Sequence, residues 1–294
     1  MATPGNNSNL GKKDRREAAR EKARQDREAE RKRTRRNKLF LQGGVGLAVI
    51  AIAAVVMLVV VNQPKPVELS SNTAGPANMI SDGILLAGNT TKAVETPGIK
   101  KGADPVPTDL SKHSDTVNIV TYIDFQCPVC QAFEATNGQQ IKSWVDSGLA
   151  SVEIHPISIL DNSSLGNKYS TRSANAAACV AQEQPQNFYA VMQALFEHQP
   201  AESTSGRTDA EILKVLKDAG ASGDKITSCV KKQEFANWVT AASARVQTAP
   251  FPNTVKPTTL RGTPTVFVDG QQYSGGVDDA PAFKAFVEGI AKAK

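Results

Sequence analysis

The sequence predicts an α/β fold with an inserted helical subdomain, preceded by one transmembrane helix. Three observations carry that reading. An apolar run over residues 39–61 stands between a basic tail and a proline-containing stretch. From Val117 onward the local signals run β-α-β, then helical from about 163 to 248, then β-β-α. The first of these helices opens on two cysteines, Cys127 and Cys130, one turn apart.

The tail comes first. Of the 294 residues, 1–38 hold 14 Lys or Arg against 6 Asp or Glu, net +8; the remainder holds 20 against 23, net −3. The basic pI therefore belongs to the tail, and no nucleic-acid partner is expected for the rest. The stretch "REAAREKARQDREAERKR" suits a charged helix without an apolar stripe. It reads as a solvated cytoplasmic segment that fixes topology, with contact to anionic lipid headgroups as the second reading.

Residues 43–61 contain no charged or strongly polar side chain. As a helix they would reach about 28 Å, close to the thickness of a bilayer's hydrocarbon core. The run is long for a signal-peptide core, and no A-x-A site follows it in "VNQPKPVE", so it reads as an uncleaved anchor. A buried core helix would leave the flanking charge unexplained. "ERKRTRRNK" precedes the span and a single lysine follows in "NQPKPVELSSN", which places the N-terminus in the cytoplasm and the main domain outside. There thiols can stay oxidised, so four cysteines read as two pairs.

Residues 62–80 are proline and small polar residues without periodicity, a tether. The domain is expected over 81–294. "SDGILLAGNTTKAVETPG" offers two short extended runs around a Gly-Asn turn, and "KKGADPVPTDLSKHSD" is irregular. "VNIVTYIDF" is dense in β-branched and aromatic residues, a buried strand. "CPVCQAFEATNGQQIKSWVDSG" has proline at the first helical position and glycine past the end. "ASVEIHPISIL" is the second strand, and four helical segments follow, the last spanning "ITSCVKKQEFANWVTAASARV". "GTPTVFVDGQQYSG" is a hairpin turning at Asp269-Gly270, and "DDAPAFKAFVEGIAKAK" is the closing helix.

That order, with "YIDFQCPVC" at the first helix and "GTPTVFVDG" at the late hairpin, resembles the DsbA-like branch of the thioredoxin superfamily. More narrowly, it is similar to the membrane-tethered DsbA-like proteins of Gram-positive bacteria. The resemblance covers roughly 81–294. It implies a thioredoxin-like fold with a helical insertion, a cis peptide bond before Pro264, and a reoxidising membrane partner coupled to quinone.

The residues themselves suit redox chemistry. Cys127 would sit at a helix start, where unpaired N–H groups and the helix dipole favour a thiolate. A low-pKa thiolate is a good leaving group from a mixed disulfide. Pro128 fits the first turn because it has no N–H to lose, and Cys130, one turn deeper, is the resolving thiol. A zinc half-site would need two further ligands; His113, His155 and His198 are the only histidines, and none has partner spacing. An inert staple is the other alternative, although structural bridges seldom join residues this close at a helix start. No metal or organic cofactor is required.

Two departures qualify the resemblance. The buried acid usual six residues before the first cysteine is here Thr121, and Asp124 lies on the opposite strand face. Asp124 is left as shaping the approach to the site or capping the strand end. Val129 stands where strong oxidants of the family carry histidine, which predicts a milder oxidant.

Pro264 reads alone as either an ordinary trans turn or a cis bond; with a cis bond, Thr263 could pair with an extended client strand. Cys179 and Cys229, 50 residues apart in the insertion, are expected as a structural bridge, with two buried free thiols as the alternative. His155 is expected as a strand-end residue, Phe188, Tyr189, Phe196 and Trp238 as core, and Glu134 as a helix-surface charge. The functional expectation is a thiol–disulfide oxidoreductase donating disulfides to unfolded or nascent exported proteins with free thiols. Two rivals stand beside it: a reductase or isomerase, and a chaperone-like binding module with an inert pair.

Overall fold

A computed structural model of the chain describes residues 73–89 and 91–293. These all belong to the second of two compact units, Pro66–Lys294. The basic tail, the apolar run at 39–61 and most of the expected tether lie outside the described residues. Among the described residues no helix is long and apolar enough to cross a membrane.

Five strands form one mixed sheet in the order β1-β3-β2-β4-β5. They are β1 (Ile84–Leu86), β2 (Val117–Ile123), β3 (Ala150–Pro156), β4 (Thr265–Val268) and β5 (Gln271–Gln272). β2 and β3 run parallel, joined through helix α1 (Pro128–Asp146); β1 and β4 flank them antiparallel. Both central strands are buried along their length apart from the half-buried Val120, which is why they do not read as simple polar–apolar alternation. The register sets Tyr122 opposite both His155 and Thr265, so the ends of β2 and β3 and the start of β4 lie side by side. At the far end, Asp269 and Gly270, both at positive φ, turn β4 into β5.

α1 begins at Pro128 and ends before Gly148, whose φ of +74° suits glycine. Phe133 on α1 packs edge-on to Phe283 of the closing helix α7 (Ala280–Ala291), 5.3 Å between rings.

The insertion comprises α2 (Tyr169–Glu183), α3 (Phe188–Glu197), α4 (Asp209–Asp218), α5 (Asp224–Lys232) and α6 (Ala236–Thr248). Small residues such as Ala174, Ala177 and Ala178 are fully buried on α2, letting neighbouring helices approach closely. A disulfide joins Cys179 on α2 to Cys229 on α5. The expected single helix over "ITSCVKKQEFANWVTAASARV" is broken: Gln233 adopts the left-handed conformation, and Asn175 of α2 accepts the N–H of Phe235 at 2.8 Å. A tertiary side chain thus ends one helix and starts the next.

The N-terminal segment differs from its reading as a tether up to residue 80. Met79 is fully buried, Gly75 N–H bonds the Ile99 carbonyl at 2.9 Å, and Asn78 donates to the Ala181 carbonyl at 2.8 Å. Arg245 grips the Asp82 carboxylate with two bonds of 2.7 Å, and Trp238 Nε1 donates to the same group at 2.9 Å. The expected strand pair around Gly88-Asn89 is reduced to β1 and a single bridge, Leu86 to Ala93.

Candidate active site

The site is assembled where β2 runs out. Asp124 is fully buried, and its carboxylate accepts three backbone N–H groups: Gln126 at 2.9 Å, Ile159 at 2.8 Å and Leu160 at 3.0 Å. It therefore clasps the turn after β2 to the chain leaving β3, a structural role. Burial pushes its pKa up, against the pull of those bonds. The turn closes with Cys127 N–H on the Asp124 carbonyl at 3.0 Å. Gln126 continues the clasp by donating to the Ser163 carbonyl at 3.0 Å.

Cys127 is the N-cap residue of α1, in extended conformation, with Pro128 first in the helix. Both cysteines are free thiols; Cys127 is 6 % exposed and Cys130 not at all. The Thr263–Pro264 peptide bond is cis. It brings the Thr263 carbonyl within 3.2 Å of Cys127 Sγ, which donates to it as a thiol. The Thr263 hydroxyl is buried.

The two thiols diverge in acidity. Cys127 is lowered from an ordinary 9.0 to about 6, first because the Cys130 S–H donates to its thiolate. Burial opposes this, while the Thr263 hydroxyl and the N–H groups of Cys130 and Val129 assist. Cys130 is raised well above 9.0, chiefly by burial and then by its neighbour Cys127. One sulfur is thus fitted to be a thiolate and the other to keep its proton. Val129, between them, is 47 % exposed and contributes its backbone rather than its side chain.

Other residues singled out from sequence lie away from the sulfurs or serve the core. His155 is buried, stacked on Tyr122 at 4.3 Å, with Nε2 3.4 Å from Glu153. Phe188, Tyr189, Phe196 and Trp238 are core residues. Glu134, expected as a surface charge, is instead buried, with Gln193 Nε2 donating to it at 2.8 Å. Burial raises its pKa to about 7. Its place was legible: it lies four residues after Cys130 and four before Gly138, on the apolar face of α1.

Two glutamines were not anticipated. Gln199, just past α3, donates to the carbonyls of Phe125 at 2.9 Å and Cys127 at 3.0 Å. Gln131 of α1 donates back to the Phe196 carbonyl at 2.7 Å. Among the described residues no group of three or more His, Cys, Asp or Glu could hold a metal ion.

A buried thiol pair at a helix start facing a cis-proline loop, on this sheet, defines a protein of thioredoxin-like fold. The thioredoxin family profile matches residues 112–289, and the chain belongs to that family. Among solved structures, it is similar to the reduced form of the disulfide oxidoreductase DsbG from Mycobacterium tuberculosis. That match has 27% identity and a TM-score of 0.53, covering 71% of this chain and 87% of that one. Oxidised M. tuberculosis DsbA gives 26% identity and 0.53, covering 71% and 92%. BdbD from Bacillus subtilis shares the fold at 18% identity, TM-score 0.52, covering 75% and 98%. Among curated sequences, the serine/threonine-protein kinase PknE of M. tuberculosis is 29% identical over 163 residues. The match takes in 54% of this chain, which spans only 27% of that relative's length.

Proposed function

We propose that the chain is an extracytoplasmic thiol–disulfide oxidoreductase that donates its Cys127–Cys130 disulfide to exported proteins bearing free thiols. The observation that carries this reading is the divergence in acidity between an almost covered Cys127 at the helix start and a fully buried Cys130. A client thiolate attacks Cys127 Sγ; the Cys127–Cys130 bond breaks, its electron pair goes to Cys130, and Cys130 takes up a proton. A second client thiolate then attacks the client sulfur of the mixed disulfide and expels Cys127 as thiolate. The client has lost two electrons and two thiol protons; the protein holds one thiolate and one thiol, and one proton passes to solvent. Acidity at Cys127 favours the second step because it makes the better leaving group.

The cis bond at Pro264 turns the Thr263 backbone toward Cys127, which suits pairing with an extended client strand through main-chain bonds. Such pairing disregards most side chains and so admits many clients. The disulfide between Cys179 and Cys229 is taken as structural. The basic tail and apolar run support an anchored chain with the domain outside, and family likeness supports a quinone-coupled partner for reoxidation. Acid-quenched alkylation of cells tests the direction of transfer. A Cys127 recovered mainly oxidised fits a donor, and one recovered mainly reduced overturns the donor reading in favour of a reductase or isomerase.

A further inference from the structure

We infer that Gln199 is a positioning residue for the redox pair, acting from the helical insertion on the backbone that carries Cys127. The inference deepens the thiol–disulfide reading above and rests on it.

Three side chains tie the turn between β2 and α1 to its surroundings, each from a different direction. Asp124 holds the chain leaving β3, and Gln126 reaches the Ser163 carbonyl in the 3₁₀ turn Asp161–Ser164. Gln199 alone reaches the backbone of the cysteine itself. Its amide nitrogen bonds the carbonyls of Phe125 and Cys127, at 2.9 and 3.0 Å, across 74 and 72 residues of sequence. The Cys127 carbonyl also accepts the N–H of Gln131 at 3.1 Å in the first helical turn, so its oxygen has both a helical and a tertiary donor.

The physical consequence is directional. The Cys127 backbone sets where Sγ lies relative to the N–H groups of Val129 and Cys130 and to Thr263. Carbonyl oxygens carry negative partial charge, and the two that Gln199 bonds belong to the turn that carries the residue that becomes an anion. Donors bound to those oxygens offset that charge and hold the peptide planes in place. The Gln131 side chain, donating from α1 to the Phe196 carbonyl at 2.7 Å, also ties the first helix to the end of α3, but it bonds neither the Phe125 nor the Cys127 carbonyl, and the backbone N–H that does reach Cys127 is kept in a side-chain variant. It is therefore the natural control.

The test compares Gln199→Met with Gln131→Met in the otherwise intact chain. Methionine keeps the side-chain length and removes the donors. The readouts are the Cys127 thiol pKa, from thiolate absorbance against pH, and the equilibrium constant of the Cys127–Cys130 disulfide with glutathione. For Gln199→Met the expected rise in pKa is about half a unit, so thiolate at about pH 6 drops from about a half to about a quarter. The protein should become correspondingly harder to reduce, and Gln131→Met should leave both readouts in place. An unchanged pKa in folded Gln199→Met, an equal rise in Gln131→Met, or a Gln199→Met chain that does not fold overturns the inference. A wild-type Cys127 with ordinary acidity would instead sink the underlying functional reading.

Discussion

Replacing Cys130 by alanine tests the origin of Cys127 acidity directly. The Cys130 S–H is the first contributor to the lowering from 9.0 to about 6. A hydrogen bond to a charged group contributes about 1.5–3 kcal/mol, which corresponds to one to two pKa units. The smaller side chain also relieves some burial of the sulfur, and that change favours thiolate and offsets part of the loss. The Thr263 hydroxyl and two backbone N–H groups remain. The net expectation is a rise of about one unit, to about 7. At about pH 6 the thiolate fraction then falls from about a half to about a tenth, and alkylation of Cys127 slows about fivefold. Thiolate absorbance against pH, with alkylation rates on the same samples, measures both. Cys127 titrating near 9 in the reduced wild type, or at an unchanged value in Cys130→Ala, would refute the reasoning.

The same acidity has a sign in stability. A thiol whose folded pKa is depressed stabilises the reduced protein above pH 9.0, and that contribution is lost as pH falls through about 6. Glu134 runs the other way: raised from 4.5 to about 7, it costs stability as pH climbs through that window, up to about 3 kcal/mol. Denaturant midpoints of the oxidised protein should therefore decline from pH 4.5 to 7, and Glu134→Gln should flatten the decline. Replacing Cys179 and Cys229 together by serine opens a link across 50 residues and should cost about 4 kcal/mol in urea unfolding, leaving the Cys127 pKa unmoved. Val129→His should lower the Cys127 pKa further by under about one unit, an effect that added salt removes because the position is half exposed; titration in low and high salt reads it.

What was legible in the sequence was local. The cysteine pair, Pro128 at the helix start, Gly148 past its end and the Asp269-Gly270 turn each follow from a few adjacent residues, and the structure realises the corresponding elements. The break at Gln233 was not legible, because the group that captures the Phe235 N–H belongs to Asn175, 60 residues earlier. The buried place of Asn78 depends on α2, more than 100 residues on, where it finds the Ala181 carbonyl, and Met79 beside it is fully buried. A proline-rich polar composition reads as a tether unless such a surface exists to receive it. Glu134 was half legible: its helical position faced the core, but an acid there becomes tolerable only with the Gln193 amide opposite.

The two departures from the family pattern now bear on one another. Thr121, at the place of the usual buried acid, has a buried hydroxyl with no partner among the described residues, and Val129 offers no side-chain donor to the thiolate. What favours the Cys127 thiolate is therefore a set of neutral donors: one S–H, one O–H and two backbone N–H groups. A neutral dipole's effect falls off faster with distance and misalignment than that of a full charge, so such a set acts only while the turn 124–131 keeps its shape. That shape is held by Asp124 and Gln126, whose partners lie after β3 and in the 3₁₀ turn before α2, and by Gln199, which reaches into the turn from past α3. On the proposed redox reading, a pair whose main activating contacts are neutral donors would make the inserted helices part of its chemistry.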